Sequence, residues 1–245
     1  CPFYPPDAPP LTQVASGSSP FRLNLHVDDV GHTLIFGPTG SGKSTLLALI
    51  AAQFRRYKGA QVFAFDKGNS ILPLTLAVDG NHYEIGGEAG EGAKLAFCPL
   101  SDLSTDTDRA WASEWIETLV ALQGVTVTPD HRNAISRQIG LMAGAPGRSL
   151  SDFVSGVQMR EIKDALHHYT VDGPMGQLLD AEQDSLTLGQ FQCFEIEQLM
   201  NMGERNLVPV LTYLFRRIEK RLTGAPSLII LDEAWLMLGH PVFRD

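Results

Sequence analysis

Hydrophobic residues along this chain fall into two patterns, short apolar runs and longer stretches with helical spacing. Short runs predict strands, and apolar residues that recur every three or four positions predict amphipathic helices. The predicted strands are Phe21–Val27, Thr33–Phe36, Ala60–Asp66, Phe191–Ile196 and Ser227–Leu231. The predicted helices are Thr45–Ala52, Asp108–Gln123, Asp130–Met142, Val157–His168 and Leu207–Leu222. Together they indicate an α/β protein.

The order of these elements predicts how the chain is divided. A strand, a helix and a second strand follow one another after residue 21, which is the order of a parallel sheet. Residues 101–190 are mostly helical, so we expect a helical subdomain inserted between two core segments, 21–100 and 191–245. Residues 1–20 are rich in proline and serine, and we expect an extended linker from a missing N-terminal domain.

The segment from Gly37 to Ser44 has the spacing G-x-x-x-x-G-K-S, with a predicted strand before it and a helix after it. This is the pattern of the phosphate-binding loop of nucleotide triphosphatases. Its glycines let successive backbone N–H groups face one anion, and the N-terminus of the helix adds a partial positive charge. We expect Lys43 to reach the β- and γ-phosphates and the Ser44 hydroxyl to contact Mg²⁺.

A second motif lies far downstream, where the strand Ser227–Leu231 is followed by Asp232 and Glu233. Its consecutive apolar residues predict a central strand of a parallel sheet, covered on both faces. Carboxylates at the C-terminal end of such a strand lie where open α/β sheets bind ligands. We expect Asp232 to hold Mg²⁺, directly or through water, and Glu233 to polarise the attacking water as general base.

Composition narrows the class of protein. The 245 residues are 44% hydrophobic, enough for one sizeable α/β domain or two small ones, and the net charge of −9 argues against a broad nucleic-acid-binding face. Cys1, Cys98 and Cys193 form no C-x-x-C pair, so we expect reduced thiols in a cytosolic protein. No apolar run approaches the length of a membrane span, and no signal peptide is visible.

Three segments together resemble the transport ATPases of conjugative type IV secretion systems, and among these the TrbE branch. The segments are Gly31–Ser44, Phe65–Gly68 and Leu231–Trp235, and the resemblance runs from about Phe21 to the last residue. Transporter ATPases share the Leu-Asp-Glu ending but carry an L-S-G-G-Q signature upstream of it. The nearest segment here, Leu186–Gln190, has one glycine and precedes a strand, so we interpret that likeness as coincidence.

The resemblance implies an α/β fold, namely a RecA-like P-loop NTPase with a mostly parallel central sheet. It implies Mg²⁺-dependent ATP hydrolysis by a hexameric motor in the bacterial cytoplasm, which contacts other secretion subunits at the cytoplasmic face of the inner membrane. Such motors power pilus biogenesis and substrate transfer. Members of this family continue past the Asp-Glu-Ala-Trp motif with a further core strand that carries a polar sensor residue, whereas this sequence stops at Asp245.

Carried onto this chain, the resemblance also implies a role for each residue of the two motifs. Lys43 and Glu233 would act in catalysis, and Ser44 and Asp232 would contact Mg²⁺. The residues expected to contact the nucleotide are Gly37, Pro38, Thr39, Gly40, Ser41, Gly42, Lys43, Ser44 and Thr45.

Other polar residues have both a functional and a plain interpretation. Asp66 ends the second predicted core strand, so it is either a catalytic residue near the γ-phosphate and its water or part of a solvated loop. Lys67 either contacts a nucleotide in a neighbouring subunit or belongs to the same solvated loop. A cluster of basic residues on the last predicted helix either forms a solvated face or provides an arginine that acts on a neighbouring subunit. These residues are Arg216, Arg217, Lys220 and Arg221.

Three interpretations of function stay open at this point. The first is an ATP-hydrolysing motor for secretion, which Glu233 favours because a pure binding module does not need a carboxylate there. The second is a structural component of the secretion complex that nucleotide binding organises. The third is a DNA-pumping coupling ATPase, whose basic DNA-facing loops are not evident in this sequence.

Overall fold

The structure, a computed structural model, describes residues 10, 12–16, 19–25, 31–87 and 95–233. The described strands are β1 (Thr12–Ser16), β2 (Ser19–Leu23), β3 (Gln61–Asp66), β4 (Asn81–Glu84), β5 (Phe191–Glu195) and β6 (Ser227–Leu231). The described α-helices are α1 (Lys43–Phe54), α2 (Leu72–Ala77), α3 (Asp106–Leu122), α4 (Pro129–Ala143), α5 (Leu150–Gly156), α6 (Arg160–Leu166), α7 (Gly176–Leu179), α8 (Glu197–Asn201) and α9 (Glu204–Arg221).

The chain forms two compact units, each built from separate stretches of sequence. The first, the sheet unit, comprises Cys1–Glu84, Leu188–Glu197 and Lys220–Asp245. The second, the helical unit, comprises Ile85–Thr187 and Gln198–Glu219. The predicted insertion 101–190 stays a prediction, and it differs from the helical unit, which also takes in most of α9.

The sheet unit contains a four-stranded sheet in the order β4-β5-β3-β6, and all of its neighbouring strands are parallel. The α/β fold with a parallel sheet is therefore confirmed. Every residue of β3 and β5 is buried, as expected for strands covered on both faces. One face packs against α1 through Ile50, Phe54, Val62, Ala64 and Cys193.

Two predictions about the strands of this sheet are wrong. Thr33–Phe36 forms no strand, and Leu34 and Phe36 are exposed. β6 is an edge strand of the described sheet rather than a central one, and Ile229 on it is 41% exposed. An apolar run is a strand only where a neighbour completes its hydrogen bonds, and Thr33–Phe36 pairs with none of the described strands.

A hairpin precedes the sheet. β1 and β2 pair antiparallel, with Thr12 opposite Leu23. The prediction of a linker over 1–20 stays a prediction: Thr12–Ser16 within it forms a strand, and residues 1–9 lie outside the described part of the chain. Local hydrogen bonding to a second strand is enough to order a short segment that composition alone assigns to a linker.

In the helical unit, two aromatic side chains bond to α9 next to a proline. Pro209 lies inside α9 and has no N–H, so the Arg205 carbonyl lacks its usual helical donor. The hydroxyl of Tyr169 donates to that carbonyl at 2.8 Å, and burial raises the pKa of Tyr169 to about 12. On α3, the Trp115 indole is buried and donates to the Pro209 carbonyl at 3.1 Å. Tyr169 thus supplies the hydrogen bond that Pro209 cannot make, and Trp115 adds a second bond next to it.

The structure also describes two of the predicted thiols and the helices that were considered as membrane spans. Cys98 and Cys193 are buried free thiols, and burial raises their pKa values to about 11 and about 12. Among the described residues, none of the helices has the length and apolar character needed to cross a bilayer.

Candidate functional site

The predicted phosphate-binding loop precedes α1 in the sheet unit. Gly40 and Gly42 have φ angles of 79° and 85°, a left-handed conformation that favours glycine. The N–H of Ser41 donates to the Pro38 carbonyl at 3.2 Å, which closes a tight turn. Helix α1 begins at Lys43 and has no acidic residue in its first turn, so no carboxylate of that turn offsets the partial positive charge of its N-terminus.

Lys43 is folded back over this loop. Its Nζ donates to the carbonyls of Gly37 and Pro38 at 2.9 and 3.1 Å. The glycine at position 37 permits a close approach, since a Cβ there would lie 2.6 Å from the Ser41 Oγ. The ammonium is therefore held over the loop by main-chain acceptors.

The exposure of the predicted nucleotide-contacting residues differs along the loop. Gly37, Pro38, Thr39, Gly40, Ser41, Gly42 and Thr45 are exposed, whereas Lys43 and Ser44 are half-buried. The exposed backbone N–H groups at the start of α1 and the two half-buried side chains make a surface that suits an anion with several oxygen atoms.

Asp232 is fixed by the sheet at the C-terminal end of β6. Its backbone N–H donates to the Phe65 carbonyl at 2.9 Å, which continues the ladder between β3 and β6. Burial is the largest cause that raises the pKa of Asp232, followed by the charges of Asp66 and Glu233. The charge of Lys43 lowers that pKa, so the structure brings the loop lysine and the strand-end carboxylate within electrostatic reach of each other.

Glu233 follows Asp232 in a strained backbone conformation. Its φ of 58° lies in the left-handed region, which costs an ordinary residue of order 1 kcal/mol or more. Such strain clusters at functional sites. The half-buried Glu233 thus turns sharply out of the strand beside Asp232. The next motif residues, Ala234 and Trp235, lie outside the described part of the chain.

Asp66 ends β3 and is completely buried. Its Oδ1 accepts from the Ser70 hydroxyl at 2.5 Å, and its Oδ2 accepts from the Ile71 N–H at 2.8 Å. Because both carboxylate oxygens accept hydrogen bonds from the turn that follows β3, these contacts give Asp66 a structural role. They do not support the sequence-based prediction that it acts on the γ-phosphate.

The chemistry of the side chains at the site shows whether they suit the predicted Mg²⁺ ion. No group of three or more His, Cys, Asp or Glu residues that could hold a metal ion is found among the residues that the structure describes. Mg²⁺, however, is commonly bound by one or two carboxylates, water and the phosphates of a nucleotide. The Ser44 hydroxyl and the Asp232 carboxylate are hard oxygen donors of this kind. They fit a Mg²⁺ ion that arrives with a nucleotide.

The basic residues of α9 have partners within the chain. Arg216 pairs with Asp108 at 2.8 Å and with Glu219 at 2.7 Å. Arg217 pairs with Asp184 and donates to the Tyr213 hydroxyl. The prediction of a solvated basic face is therefore wrong for these two arginines, because acidic side chains within the helical unit neutralise them.

Sequence analysis missed Glu195, which ends β5 and is 2% exposed. A carboxylate that directly follows an apolar strand is the signal that identified Asp66 and Asp232. The same signal is present in the segment Phe191–Ile196, so the pattern could have found Glu195 as well.

Comparisons with known proteins give one family and a group of relatives. A family model described as ABC transporter matches residues 21–208. The conjugal transfer protein TrbE of Rhizobium radiobacter is 84% identical over 100% of this chain and 30% of its own length. A probable conjugal transfer protein TrbE of Sinorhizobium fredii is also 84% identical, over 100% of this chain and 37% of its own length.

More distant relatives extend the comparison. The type IV secretion system protein virB4 of Bartonella henselae is 28% identical over 92% of this chain and 29% of its own length. The chain thus spans about a third of the length of the curated relatives it matches. The solved structure of VirB4 of Thermoanaerobacter pseudethanolicus has a similar fold, with a TM-score of 0.59 and 15% identity over 82% of this chain and 59% of that chain.

Proposed function

Because the chain belongs to the ABC transporter family of P-loop domains, and is a piece of a TrbE- and VirB4-type ATPase, we propose that it binds ATP with Mg²⁺ and hydrolyses it. The lack of an L-S-G-G-Q signature argued against a transporter ATPase, but the family match shows that the wider family includes this chain. The observation that carries the proposal is a glycine-rich loop with Lys43 held over it, in the same unit as a strand end where Asp232 is fixed by its N–H bond to Phe65 and where the charge of Lys43 lowers the pKa of Asp232.

The loop binds the triphosphate in this proposal. Backbone N–H groups between Gly37 and Thr45, at the N-terminus of α1, donate to phosphate oxygens. When the nucleotide binds, the Lys43 side chain exchanges its hydrogen bonds with the carbonyls of Gly37 and Pro38 for bonds with the β- and γ-phosphates. Because the side chain is already ordered over the loop, binding costs it little conformational entropy.

Ser44 and Asp232 are the residues that would hold Mg²⁺. When bound, the ion supplies positive charge that offsets the charge of the phosphates during hydrolysis. The raised pKa of Asp232 reflects its burial and a local excess of negative charge, since Asp66 and Glu233 lie beside it. A divalent cation is the ligand that such an environment favours.

Glu233 is the proposed general base. It orients and polarises the attacking water from the left-handed turn that follows Asp232. Asp66 is assigned a positioning role in place of the predicted catalytic one, because its carboxylate is buried and bonded to the turn at 70–71.

For the whole protein, we infer a motor of a conjugation or type IV secretion apparatus, which powers pilus biogenesis and substrate transfer. The similarity to conjugal transfer and type IV secretion proteins supports this role. The proposal includes self-association to a hexamer and contact with other secretion subunits at the cytoplasmic face of the inner membrane.

The rate of ATP hydrolysis, measured against protein concentration for this chain and for the full-length protein, tests the proposal. A trans-acting arginine is worth about 10³–10⁵ in turnover, and Arg216 and Arg217 are paired internally. We therefore expect the isolated chain to bind ATP and turn it over very slowly, and the full-length specific activity to rise with concentration. A full-length protein that binds ATP without hydrolysing it at any concentration is instead a nucleotide-regulated structural component.

A further inference from the structure

Two buried carboxylates lie side by side at the carboxyl end of the central strands. Asp66 on β3 is opposite Glu195 on β5 in the parallel register. The first is 0% and the second 2% exposed. No Lys, Arg or His within the described ranges forms an ion pair with either of them. Two buried negative charges without a cation require other hydrogen-bond donors.

The donors come mainly from the backbone of the turn after β3. The Glu195 Oε2 accepts from the Asn69 N–H at 2.6 Å, and its Oε1 accepts from the Gly68 N–H at 3.3 Å. The same Oε1 accepts from the Glu197 N–H at 2.9 Å, at the first residue of α8. One carboxylate therefore holds the turn after β3 and the segment after β5 together.

Asp66 completes the arrangement from the neighbouring strand, through its bonds with the Ser70 hydroxyl and the Ile71 N–H. The turn includes two successive left-handed residues, Gly68 with a φ of 79° and Asn69 with a φ of 58°. Asparagine adopts this conformation more readily than most residues with a side chain, and the bonds to the carboxylates hold the turn in it. Residues 67–71 cannot move without leaving a buried charge unpaired.

This turn is directly connected to the proposed nucleotide site. The Asp66 carbonyl accepts from the Ile196 N–H at 3.0 Å, which fixes Asp66 to β5 as well. On its other side, the Asp232 N–H donates to the Phe65 carbonyl at 2.9 Å. Asp66, Glu195 and Asp232 therefore form a row across three adjacent strand ends, on one face of the sheet.

We propose that Glu195 is a positioning residue of the nucleotide site. It holds residues 67–71 and the start of α8 in one arrangement and thereby keeps Asp66 in place beside Asp232. This inference rests on the proposed ATPase function and assigns it a residue that does not touch the nucleotide. Without Glu195, the turn at 67–71 that bonds to the Asp66 carboxylate loses its fixed position, so that this carboxylate and the groups beside it at the strand ends lose their alignment.

Glu195→Gln is the test variant, because glutamine has the same shape but only one acceptor oxygen. Its amide N–H₂ faces either the Asn69 N–H or the N–H groups of Gly68 and Glu197, so at least one hydrogen bond is lost. Asp180→Asn is the matched control in the helical unit. Asp180 is also a carboxylate that accepts from two backbone N–H groups, those of Ser151 at 2.8 Å and Val171 at 2.6 Å.

Three quantities are measured on the full-length wild type and both variants: the amide hydrogen exchange of residues 67–71 and 196–198, the affinity for ATP, and the maximal rate of hydrolysis. For Glu195→Gln we expect faster exchange in both segments, ATP affinity within about twofold of wild type, and a rate about 10- to 100-fold lower. For Asp180→Asn we expect wild-type exchange in both of these segments, wild-type affinity for ATP and wild-type turnover. If Glu195→Gln does not fold, Glu195→Asp, which keeps both acceptors on a shorter side chain, replaces it with the same expectations.

Unchanged exchange at 67–71 in the Glu195 variant overturns the inference, because the carboxylate then does not hold the turn. Faster exchange with wild-type turnover also overturns it, since the contact is then structural only. An equal loss of turnover in Asp180→Asn would show a general effect of lower stability and contradicts it too. Failure of the proposed function is seen separately, as a wild-type protein that does not hydrolyse ATP.

Discussion

Replacement of Lys43 by alanine tests the phosphate-binding loop directly. Lys43 is the only residue between Gly37 and Thr45 with a positively charged side chain. Its Nζ is held at 2.9 and 3.1 Å from the carbonyls of Gly37 and Pro38, so it lies over the loop where the phosphates are proposed to bind. Lys43→Ala removes this charge and leaves the left-handed turns at Gly40 and Gly42 intact.

The expected loss follows from the kind of contact that is removed. A hydrogen bond to a charged group contributes about 1.5–3 kcal/mol, and each 1.4 kcal/mol is about a tenfold change in affinity. We therefore expect the Kd for Mg·ATP to rise roughly 10- to 100-fold. The effect on folding is smaller, about 1 kcal/mol or less, because the two lost hydrogen bonds are solvent-exposed.

Isothermal titration calorimetry of Mg·ATP binding to the wild type, Lys43→Ala and Lys58→Ala measures this change. Lys58 is an exposed residue just after α1, and its replacement changes the net charge by the same amount. We expect wild-type affinity for Lys58→Ala. Wild-type affinity for Lys43→Ala would refute the assignment of the loop, and an equal loss in both variants would show a non-specific charge effect.

Two further substitutions test other parts of the account. Asp232→Asn should weaken the Mg²⁺ dependence of ATP binding, while urea unfolding should show it to be more stable than wild type at neutral pH. The pKa of Asp232 is raised in the native state, so its ionised form opposes folding, and this gain should disappear as the pH falls through that raised pKa. A gain that persists at low pH would contradict this cause. Arg216→Ala should lower the free energy of unfolding by about 3 kcal/mol, because the buried Asp108 loses its guanidinium partner. An unchanged urea midpoint would show that the pair is not needed.

The parts of the fold that the sequence predicts correctly are those with a strong repeating pattern. Periodic apolar residues predicted α3, α4 and α9 close to their observed bounds, and continuous apolar runs predicted β3 and β5. These elements bury one face or both, so hydrophobic spacing alone determines them.

The errors in strand assignment have a common cause. Thr33–Phe36 and β6 have equally apolar sequences, yet only β6 pairs with a described strand, and only on one side. Pairing partners are a property of the tertiary structure and leave no local pattern. Strand β4, Asn81–Glu84, was missed for the related reason that its polar residues give no strand signal, although β5 pairs with it.

The candidate site was predicted in its two motifs but not in its supporting contacts. The spacing of the loop and the Asp232-Glu233 pair predicted which residues contact the nucleotide, and these contacts stay a prediction. The role of Asp66 depends on the turn that it faces, and the role of Glu195 depends on the register between β3 and β5. Neither the turn geometry nor the register can be obtained from one sequence.

The central claim, that this chain is the ATP-hydrolysing part of a secretion motor, is tested most directly at Glu233. Phosphate release from saturating Mg·ATP should be measured on full-length wild type and Glu233→Gln, with bound ATP determined for both. We predict equal binding, and a turnover about 10²–10⁴-fold lower in the variant, because the amide cannot act as a general base. Equal turnover in the two proteins would contradict the account, since the end of β6 would then have no catalytic role.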